Sequence, residues 1–63
     1  MINQNTRRGT RVAVAISYRT SEGLNRGDIV EFIRINGRGN IEAHCPRLGE
    51  TFEFSSEELR EAQ

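Results

Sequence analysis

The sequence predicts a small all-β domain, most simply a barrel. In four short windows of this 63-residue chain, apolar and polar residues alternate with the two-residue period of a β-strand. The windows recur at intervals of about ten residues, and turns that contain glycine separate them. This spacing favours a barrel or sandwich over alternating strands and helices. The chain has room for one domain, because a chain of this size buries only about 60% of the surface that its unfolded form exposes.

The chain begins with a polar and basic segment. Residues 1–9 hold little apolar surface, so they predict a flexible tail ahead of a domain at residues 10–63. The first strand of that domain covers residues 11–16, because alternate positions there are branched and apolar. The side chains expected on its inner face are Val12, Val14 and Ile16.

A long polar loop separates the first two strands. Residues 17–26 contain one aliphatic side chain, Leu24, which we expect to pack beneath the barrel. Gly27 and Asp28 then predict a tight turn, since glycine tolerates positive φ and aspartate can bond to its neighbouring backbone. This turn is expected to lead the chain directly into the second strand.

The second strand covers residues 29–35, the most strongly β-prone window of the chain. Alternation assigns Val30 and Phe32 to the core, which puts Ile33 and Ile35 on the opposite face. The two isoleucines can leave an apolar patch for a protein partner, or one of them can close a second small core under the long loop. Both alternatives stay open at this point.

Two further strands follow, joined by turns rich in glycine. Residues 36–40 predict a hairpin, for which Asn-Gly is the strongest short-range signal. The third strand covers residues 41–45 and ends at Pro46, because proline has no backbone N–H to donate to a sheet. After a turn at residues 48–50, residues 51–54 alternate as the fourth strand.

The C-terminal segment carries a helix-start signal. Ser55 and Glu58 have the spacing of a capping box and predict a short helical turn over residues 55–61. Leu59 is expected to close one end of the barrel from that turn. The complete predicted core is Val12, Val14, Val30, Phe32, Ala43, Phe54 and Leu59.

This order of elements resembles the Src-homology-3-like small barrel over residues 10–62. Val12–Tyr18 is similar to the first strand of that family and its Ala-Leu-Tyr-Asp-Tyr motif, and Asn25–Glu31 looks like its Lys-Lys-Gly-Asp-Ile-Leu-Glu turn. Gly39–Ala43 falls where the family has Gly-Trp-Trp-Lys-Ala, and Phe54–Leu59 falls where it has Val-Pro-Ser-Asn-Tyr-Val. The resemblance implies a five-stranded barrel with a short C-terminal helical turn.

The same resemblance implies that this chain does not recognise proline-rich peptides. Such peptides lie in grooves lined by aromatic side chains. Among the positions that match the groove of the family, only Tyr18 is aromatic. The other groove positions fall on Ile16, Asn40, Ser55 and Glu58.

The net charge is zero, but the charge is unevenly distributed, and all nine basic residues are arginine. Residues 1–38 hold seven arginines and three acidic residues, a net charge of +4. Residues 39–63 hold two arginines and six glutamates, a net charge of −4. The two halves can neutralise each other in the folded chain, or the basic half can contact phosphate groups through the guanidinium fork.

No catalytic residue, metal site or cofactor is predicted. The only histidine and the only cysteine, His44 and Cys45, are neighbours on one strand, so their side chains point to opposite faces and cannot form an activated pair. Cys45 is expected in the core, and a single cysteine can form neither an intrachain disulfide nor a cysteine-based zinc cage. We therefore expect no enzymatic activity from one chain, although an active site shared across a symmetric oligomer stays open.

Two binding functions remain. The first is a protein-interaction or regulatory module, with Tyr18, Ile33 and Ile35 as its contact residues. The alternative is a nucleic-acid-binding barrel, in which a basic N-terminal arm and the second strand with its hairpin contact phosphates. The residues assigned to this alternative are Arg7, Arg8, Arg11, Arg34 and Arg38. A homo-oligomer formed through the outer isoleucines also stays open.

The sequence predicts a cytoplasmic protein that does not enter a membrane. A lone cysteine suits a reducing compartment, and the N-terminus is polar where a signal peptide needs an apolar run. No stretch approaches the roughly 20 apolar residues that a membrane-spanning helix needs. The identity of a protein partner is not encoded in any motif of the chain.

Overall fold

The alternating windows of the sequence fold into one antiparallel sheet. The computed structural model describes residues 2–62. Its strands are β1 (Arg11–Val14), β2 (Ile29–Ile35), β3 (Ile41–Cys45), β4 (Glu50–Phe54) and β5 (Leu59–Glu61). Their order across the sheet is β4-β3-β2-β1-β5, which confirms the predicted all-β class. Within residues 2–62, the outer strands β4 and β5 do not pair with each other, so the sheet is not closed into a complete barrel.

The first strand is shorter than its alternating pattern predicted. β1 ends at Val14, where the turn before β2 takes over its hydrogen bonds: the Val14 N–H donates to the Asp28 carbonyl, and the Gly27 N–H donates to the Val14 carbonyl, both at 2.8 Å. Ile16 lies beyond the strand, yet it is half buried and packs against the core. The turn at Gly27 forms as the sequence predicted, with a φ of 93° that favours glycine.

The loop between β1 and β2 is polar but well anchored. It contains a single 3₁₀ turn at Thr20–Glu22, and the Leu24 side chain is fully buried in the core. The prediction that Leu24 packs beneath the sheet is confirmed. Gly23 has a φ of 88°, and a Cβ added to it would lie 3.2 Å from Cδ1 of Leu48. The loop therefore approaches the turn between β3 and β4 closely.

β2 contains a bulge that simple alternation does not reveal. Its register against β3 shifts between Phe32 and Arg34, so Ile33 is an extra residue without a partner. Beyond the bulge, Ile35 lies opposite the buried Ile41 and itself packs against the core. The expectation that Ile33 and Ile35 share the outer face is corrected, because the bulge interrupts the two-residue period.

The C-terminal segment is partly helical and partly extended. A 3₁₀ turn covers Ser56–Glu58, and the Glu58 carboxylate accepts a hydrogen bond from the Ser55 N–H at 3.0 Å. The predicted helical turn over residues 55–61 is too long, because the chain then extends as β5 and pairs with β1. Leu59 enters the core from that strand rather than from a helix.

One face of the sheet, together with the loop, encloses the core. All seven predicted core side chains are buried, so this part of the prediction is confirmed. The burial of Leu24, Ile41 and Cys45 completes the same cluster. The rings of Phe52 and Phe54 lie 6.2 Å apart in a tilted arrangement at the β4 side of it.

The N-terminal segment contacts the sheet near both of its ends. Ile2 is half buried and packs against the core, and the Gly9 N–H donates to the Phe32 carbonyl at 2.7 Å. The flexibility of residues 1–9 and the domain boundary at residue 10 stay predictions. The predicted tail (residues 1–9) includes Met1 and the predicted domain (residues 10–63) includes Gln63, and both of these residues lie outside the described residues.

Candidate interaction surface

Arg19 fastens the long loop to the end of β4. Its side chain is largely buried, and its guanidinium lies over the Phe54 ring, 4.8 Å from the ring centroid. Two of its nitrogens donate to the Glu22 carboxylate at 2.8 and 2.7 Å, and Nη1 donates to the Glu53 carbonyl oxygen at 2.8 Å. The hydrogen bonds to Glu22 are the main reason that the pKa of Arg19 is raised. This cation is therefore committed to the fold.

Glu58 accepts hydrogen bonds from three groups. Its Oε1 accepts from Arg19 Nη1 at 3.2 Å and from the Ser55 N–H at 3.0 Å, and its Oε2 accepts from the Tyr18 hydroxyl at 2.8 Å. Burial acts to raise the pKa of Glu58, but these donors outweigh burial and the pKa is lowered. The hydrogen bond to Glu58 in turn raises the pKa of Tyr18. Although Tyr18 is 70% exposed, its hydroxyl already has a partner.

A second cluster ties the loop to the turn between β3 and β4. Arg47 donates to both oxygens of the Asp28 carboxylate, from Nε at 3.2 Å and from Nη2 at 2.7 Å. The same Nη2 donates to the Gly23 carbonyl. The hydrogen bonds from Arg47, followed by one from the Asn25 N–H, lower the pKa of Asp28. One arginine thus holds two points of the loop in place.

A third cluster covers the outer face of β3 and β4. Glu42 and Glu53 lie directly opposite each other, an arrangement in which like charges repel. Arg34 Nε donates to Glu42 at 2.8 Å, and Arg38 Nη2 donates to Glu53 at 2.6 Å. Asn40 Nδ2 also donates to Glu53 at 2.8 Å. The hydrogen bond from Arg38 contributes most to lowering the pKa of Glu53 to about 2, followed by those from Asn36 and Asn40.

Four ion pairs join the basic half of the sequence to its acidic half. They are Arg19–Glu58, Arg34–Glu42, Arg38–Glu53 and Asp28–Arg47. The first three pairs join an arginine of the basic half to a glutamate of the acidic half, so the fold neutralises part of the charge asymmetry internally. This is one of the two outcomes that the sequence left open. Two residues assigned to nucleic-acid binding, Arg34 and Arg38, are each held by a glutamate in this way.

Five exposed arginines have side chains that make no hydrogen bond or ion pair within residues 2–62. They are Arg7, Arg8, Arg11, Arg26 and Arg60. Three of them belong to the predicted nucleic-acid arm, and two were not singled out from the sequence. These side chains are the cations that the fold leaves available to a ligand.

Ile29 is the exposed centre of a basic region on the outer face of the sheet. Ala13 on β1 lies opposite Ile29 on β2 and opposite Arg60 on β5, so these residues form one row across three strands. Arg11 lies in the adjacent row, opposite Glu31. Ile29 is 44% exposed, whereas Ala13 beside it is buried. We call the surface formed by Arg11, Ala13, Ile29 and Arg60 the Ile29 face.

The three predicted protein-contact residues occupy three different settings. Tyr18 is bonded to Glu58 on the long loop, and Ile35 packs against the core. Ile33 lies on the bulge and lines a groove that it shares with Arg8 and His44, among others. Their role in protein binding stays a prediction, but they do not form the single strip that alternation along β2 suggested.

His44 and Cys45 point to opposite faces of β3. Cys45 is fully buried, which confirms the prediction that it is a core residue. His44 is half buried on the outer face, opposite Glu31 of β2 and Thr51 of β4. Among residues 2–62, no group of three or more histidine, cysteine, aspartate or glutamate side chains is placed to hold a metal ion.

The position of Ile29 on the outer face could be predicted from the sequence. The alternation that assigns Val30 to the core also places Ile29 on the outer face. Arg60 carried no such signal, because its position depends on the pairing of a three-residue strand with β1. The Ile29 face therefore emerges only when the strands are assembled.

Comparison of the chain with protein-family models, with curated proteins and with solved structures found no match. In residues 2–62, no helix combines the length and apolar character that crossing a bilayer requires.

Proposed function

We propose that this protein is a non-catalytic protein-interaction or regulatory module that binds its partner through the Ile29 face. The observation that carries this proposal is the contrast between the Ile29 face and the rest of the charged surface. Arg19, Arg34, Arg38 and Arg47 are held by carboxylates of the chain. On the Ile29 face, an exposed aliphatic side chain instead lies among arginines without such partners.

The proposed fold is a Src-homology-3-like small barrel, which is a fold used for binding. The order of the five strands, the turn at Gly27 and the single 3₁₀ turn before β5 support this proposal. The groove of that family is not proposed as the binding site. At two of its matching positions, the Tyr18 hydroxyl donates a hydrogen bond to Glu58. Arg19, next to Tyr18, is stacked on Phe54.

The absence of catalysis is part of the proposal. Cys45, the one thiol, is enclosed in the core, and His44 lies on the opposite face of the same strand. The thiol also suits a reducing compartment such as the cytoplasm, where cysteines stay reduced. A substrate turned over by the purified protein would contradict this part of the proposal.

The test is reconstitution of a complex from purified components. A tagged form of the protein captures candidate partners from the cells that encode it, and each candidate is then purified and titrated by calorimetry. We expect one partner to bind the wild type with a defined stoichiometry and Ile29→Asp to weaken that binding at least tenfold. Tyr18→Ala is the matched control, because Tyr18 is the other large exposed apolar residue among those described.

Three outcomes distinguish the alternatives. Loss of binding in Ile29→Asp with binding retained in Tyr18→Ala supports the proposed face. The reverse pattern places the interaction at Tyr18 and contradicts the Ile29 face. Failure of every purified candidate to bind contradicts the interaction function itself. Circular dichroism of both variants is needed to show that each retains the wild-type fold.

Nucleic-acid binding is the second candidate function. The observation in its favour is that Arg7, Arg8 and Arg11, three residues of the predicted arm, make no ion pair within residues 2–62. If all three contact phosphates of duplex DNA, the logarithm of the affinity should fall with the logarithm of the salt concentration with a slope of about −2.7. Arg7→Gln combined with Arg8→Gln should reduce that slope to about −0.9. A protein that does not bind DNA or RNA at low salt eliminates this candidate.

A further inference from the structure

We propose that the Ile29 face binds an acidic, extended segment of the partner protein, with carboxylates of the segment paired to Arg11 and Arg60 and an apolar side chain packed beside Ile29. This inference rests on the proposed interaction function and names the chemistry of the partner. The proposed occupant of the face is a protein segment rather than nucleic acid or a second copy of the chain.

The spacing of the face suits an extended chain. Arg11 and Arg60 lie on neighbouring strands and are offset by two residues, because Arg60 is opposite Ala13. With strands about 4.8 Å apart and a rise of about 3.4 Å per residue, their Cα atoms are about 8 Å apart. Alternate residues of an extended segment are separated by about 7 Å. Two carboxylates at alternate positions can therefore reach both guanidinium groups.

Ile29 forms a ridge between two shallow grooves. One groove is lined by Ile29 and Gly27 together with Ala13 and Arg60. The other is lined by the same Ile29 and Gly27 together with Arg11, among others. Ala13 and Gly27 have little or no side chain, so both grooves are open at the sides of the isoleucine. Because successive side chains of an extended segment point to opposite sides, an apolar residue two positions from one of the glutamates shares their side and can pack against Ile29 while the carboxylates reach the arginines.

The charge of the face favours an anionic partner. Arg11 and Arg60 have no ion pair within the described residues, and guanidinium groups bind carboxylates through two parallel hydrogen bonds. Arg47 also lines one groove, but Asp28 already neutralises it. Besides Asp28, the acidic residues that line the two grooves are Glu31 and Glu61, so the positive charge of the face is concentrated at Arg11 and Arg60.

These features favour an acidic protein segment over nucleic acid. Binding to single strands relies on aromatic side chains that stack on bases, and the centre of this face is aliphatic. A phosphate at every nucleotide would also bring negative charge close to Glu31 and Glu61. A protein segment can place its carboxylates opposite Arg11 and Arg60 alone.

The test uses a defined set of labelled peptides in a fluorescence anisotropy titration. Each peptide carries two glutamates and one leucine two residues beyond the second glutamate, and the spacing of the glutamates varies within the set. Matched peptides replace both glutamates by glutamine, and oligothymidylate serves as the nucleic-acid probe. The peptide whose glutamate spacing matches Arg11 and Arg60 should bind with the highest affinity of the set. Its glutamine version should bind at least tenfold more weakly.

The protein variants are Arg11→Gln, Arg60→Gln and the matched control Arg34→Gln. Arg34 is exposed on the same sheet, but Glu42 pairs with it, so its replacement should change peptide affinity less than twofold. Each of the other two replacements should weaken binding about tenfold, the usual size of a lost charge-assisted hydrogen-bond pair. Thermal melting of each variant verifies that its fold is intact.

Several results overturn the inference. No binding of any acidic peptide at about 1 mM, equal binding of the glutamine peptides, or an equal loss in Arg34→Gln each contradict it. Tighter binding of oligothymidylate than of every peptide assigns the face to nucleic acid instead. A reconstituted partner complex that is insensitive to both Arg11→Gln and Arg60→Gln refutes the acidic-segment inference but leaves the interaction function standing. Failure to form any partner complex refutes that function separately.

Discussion

Replacing Leu24 by alanine should destabilise the fold more than any change of comparable size on the outer face of the sheet. Leu24 lies in the long loop between β1 and β2, yet its side chain is fully buried. Truncation of a buried leucine to alanine costs about 2–5 kcal/mol, because apolar contacts are lost and a cavity remains. A domain of this length has a total stability of roughly 3–9 kcal/mol, so a large fraction of the free energy of unfolding should disappear.

Ile29→Ala is the control for Leu24→Ala. Ile29 belongs to a regular strand, but it is exposed, so its replacement should cost at most about 1 kcal/mol. Urea unfolding followed by far-ultraviolet circular dichroism measures both free energies. In a domain of this size, each kcal/mol corresponds to a change of about 4–8 °C in Tm, so a loss of 3 kcal/mol lowers Tm by roughly 12–24 °C.

The reasoning fails if the two variants lose the same stability within about 0.5 kcal/mol. Leu24→Val is included in case Leu24→Ala does not fold. It removes about one methylene group, worth about 0.8 kcal/mol, so its free energy of unfolding should remain measurable. A Leu24→Val variant as stable as the wild type would show that the loop is not part of the cooperative core.

Three further predictions concern the clusters that hold the loop and the outer face. Because the folded pKa of Glu53 is about 2, below its ordinary 4.5, the contribution of this carboxylate to stability is present above pH 4.5 and is lost as the pH falls towards 2. In urea unfolding, Glu53→Gln should therefore show a smaller loss of stability in acid than the wild type. The same reduction in a Glu57→Gln control would contradict this prediction. Arg19→Met should lower stability by about 1–3 kcal/mol, since it leaves the largely buried Glu58 without its cation, and calorimetry should find no such loss in the exposed Glu57→Gln. Gly23→Ala should lower Tm more than Gly27→Ala, since both glycines have positive φ but only Gly23 lies against Leu48. An equal decrease in Tm in the two variants would contradict a role for the Leu48 contact.

The periodicity of the sequence was sufficient to predict four of the five strands and most of the core. Branched and aromatic residues at alternate positions identified β2, β3 and β4, and all seven predicted core side chains are buried. Where the alternating stretch is short or interrupted, the same reasoning failed. β5 has only three residues, too few to show alternation, and the extra Ile33 in β2 reverses the faces of the residues that follow it.

The candidate site was harder to predict, because it depends on contacts between distant parts of the chain. Arg19 and Glu58 are 39 residues apart, and Arg38 and Glu53 are 15 residues apart. No local pattern distinguishes an arginine that will find such a partner from one that will not. Counting charges along the sequence therefore assigned Arg34 and Arg38 to a ligand, although each has a glutamate within hydrogen-bonding distance.

The availability of a charge, rather than its position in a basic stretch, should determine which arginines bind a ligand. A ligand that pairs with Arg34 must first displace Glu42, so the new hydrogen bonds replace existing ones and the net gain is small. Arg11 and Arg60 have no such bonds to lose within the described residues, and each exchanges only water for a carboxylate. The neighbouring Ile29 adds apolar area that a partner can remove from water, at about 25 cal/mol for each Å². Unpaired arginines and an exposed isoleucine thus coincide on the Ile29 face, whereas on the β3–β4 side the arginines are already paired with glutamates of the fold.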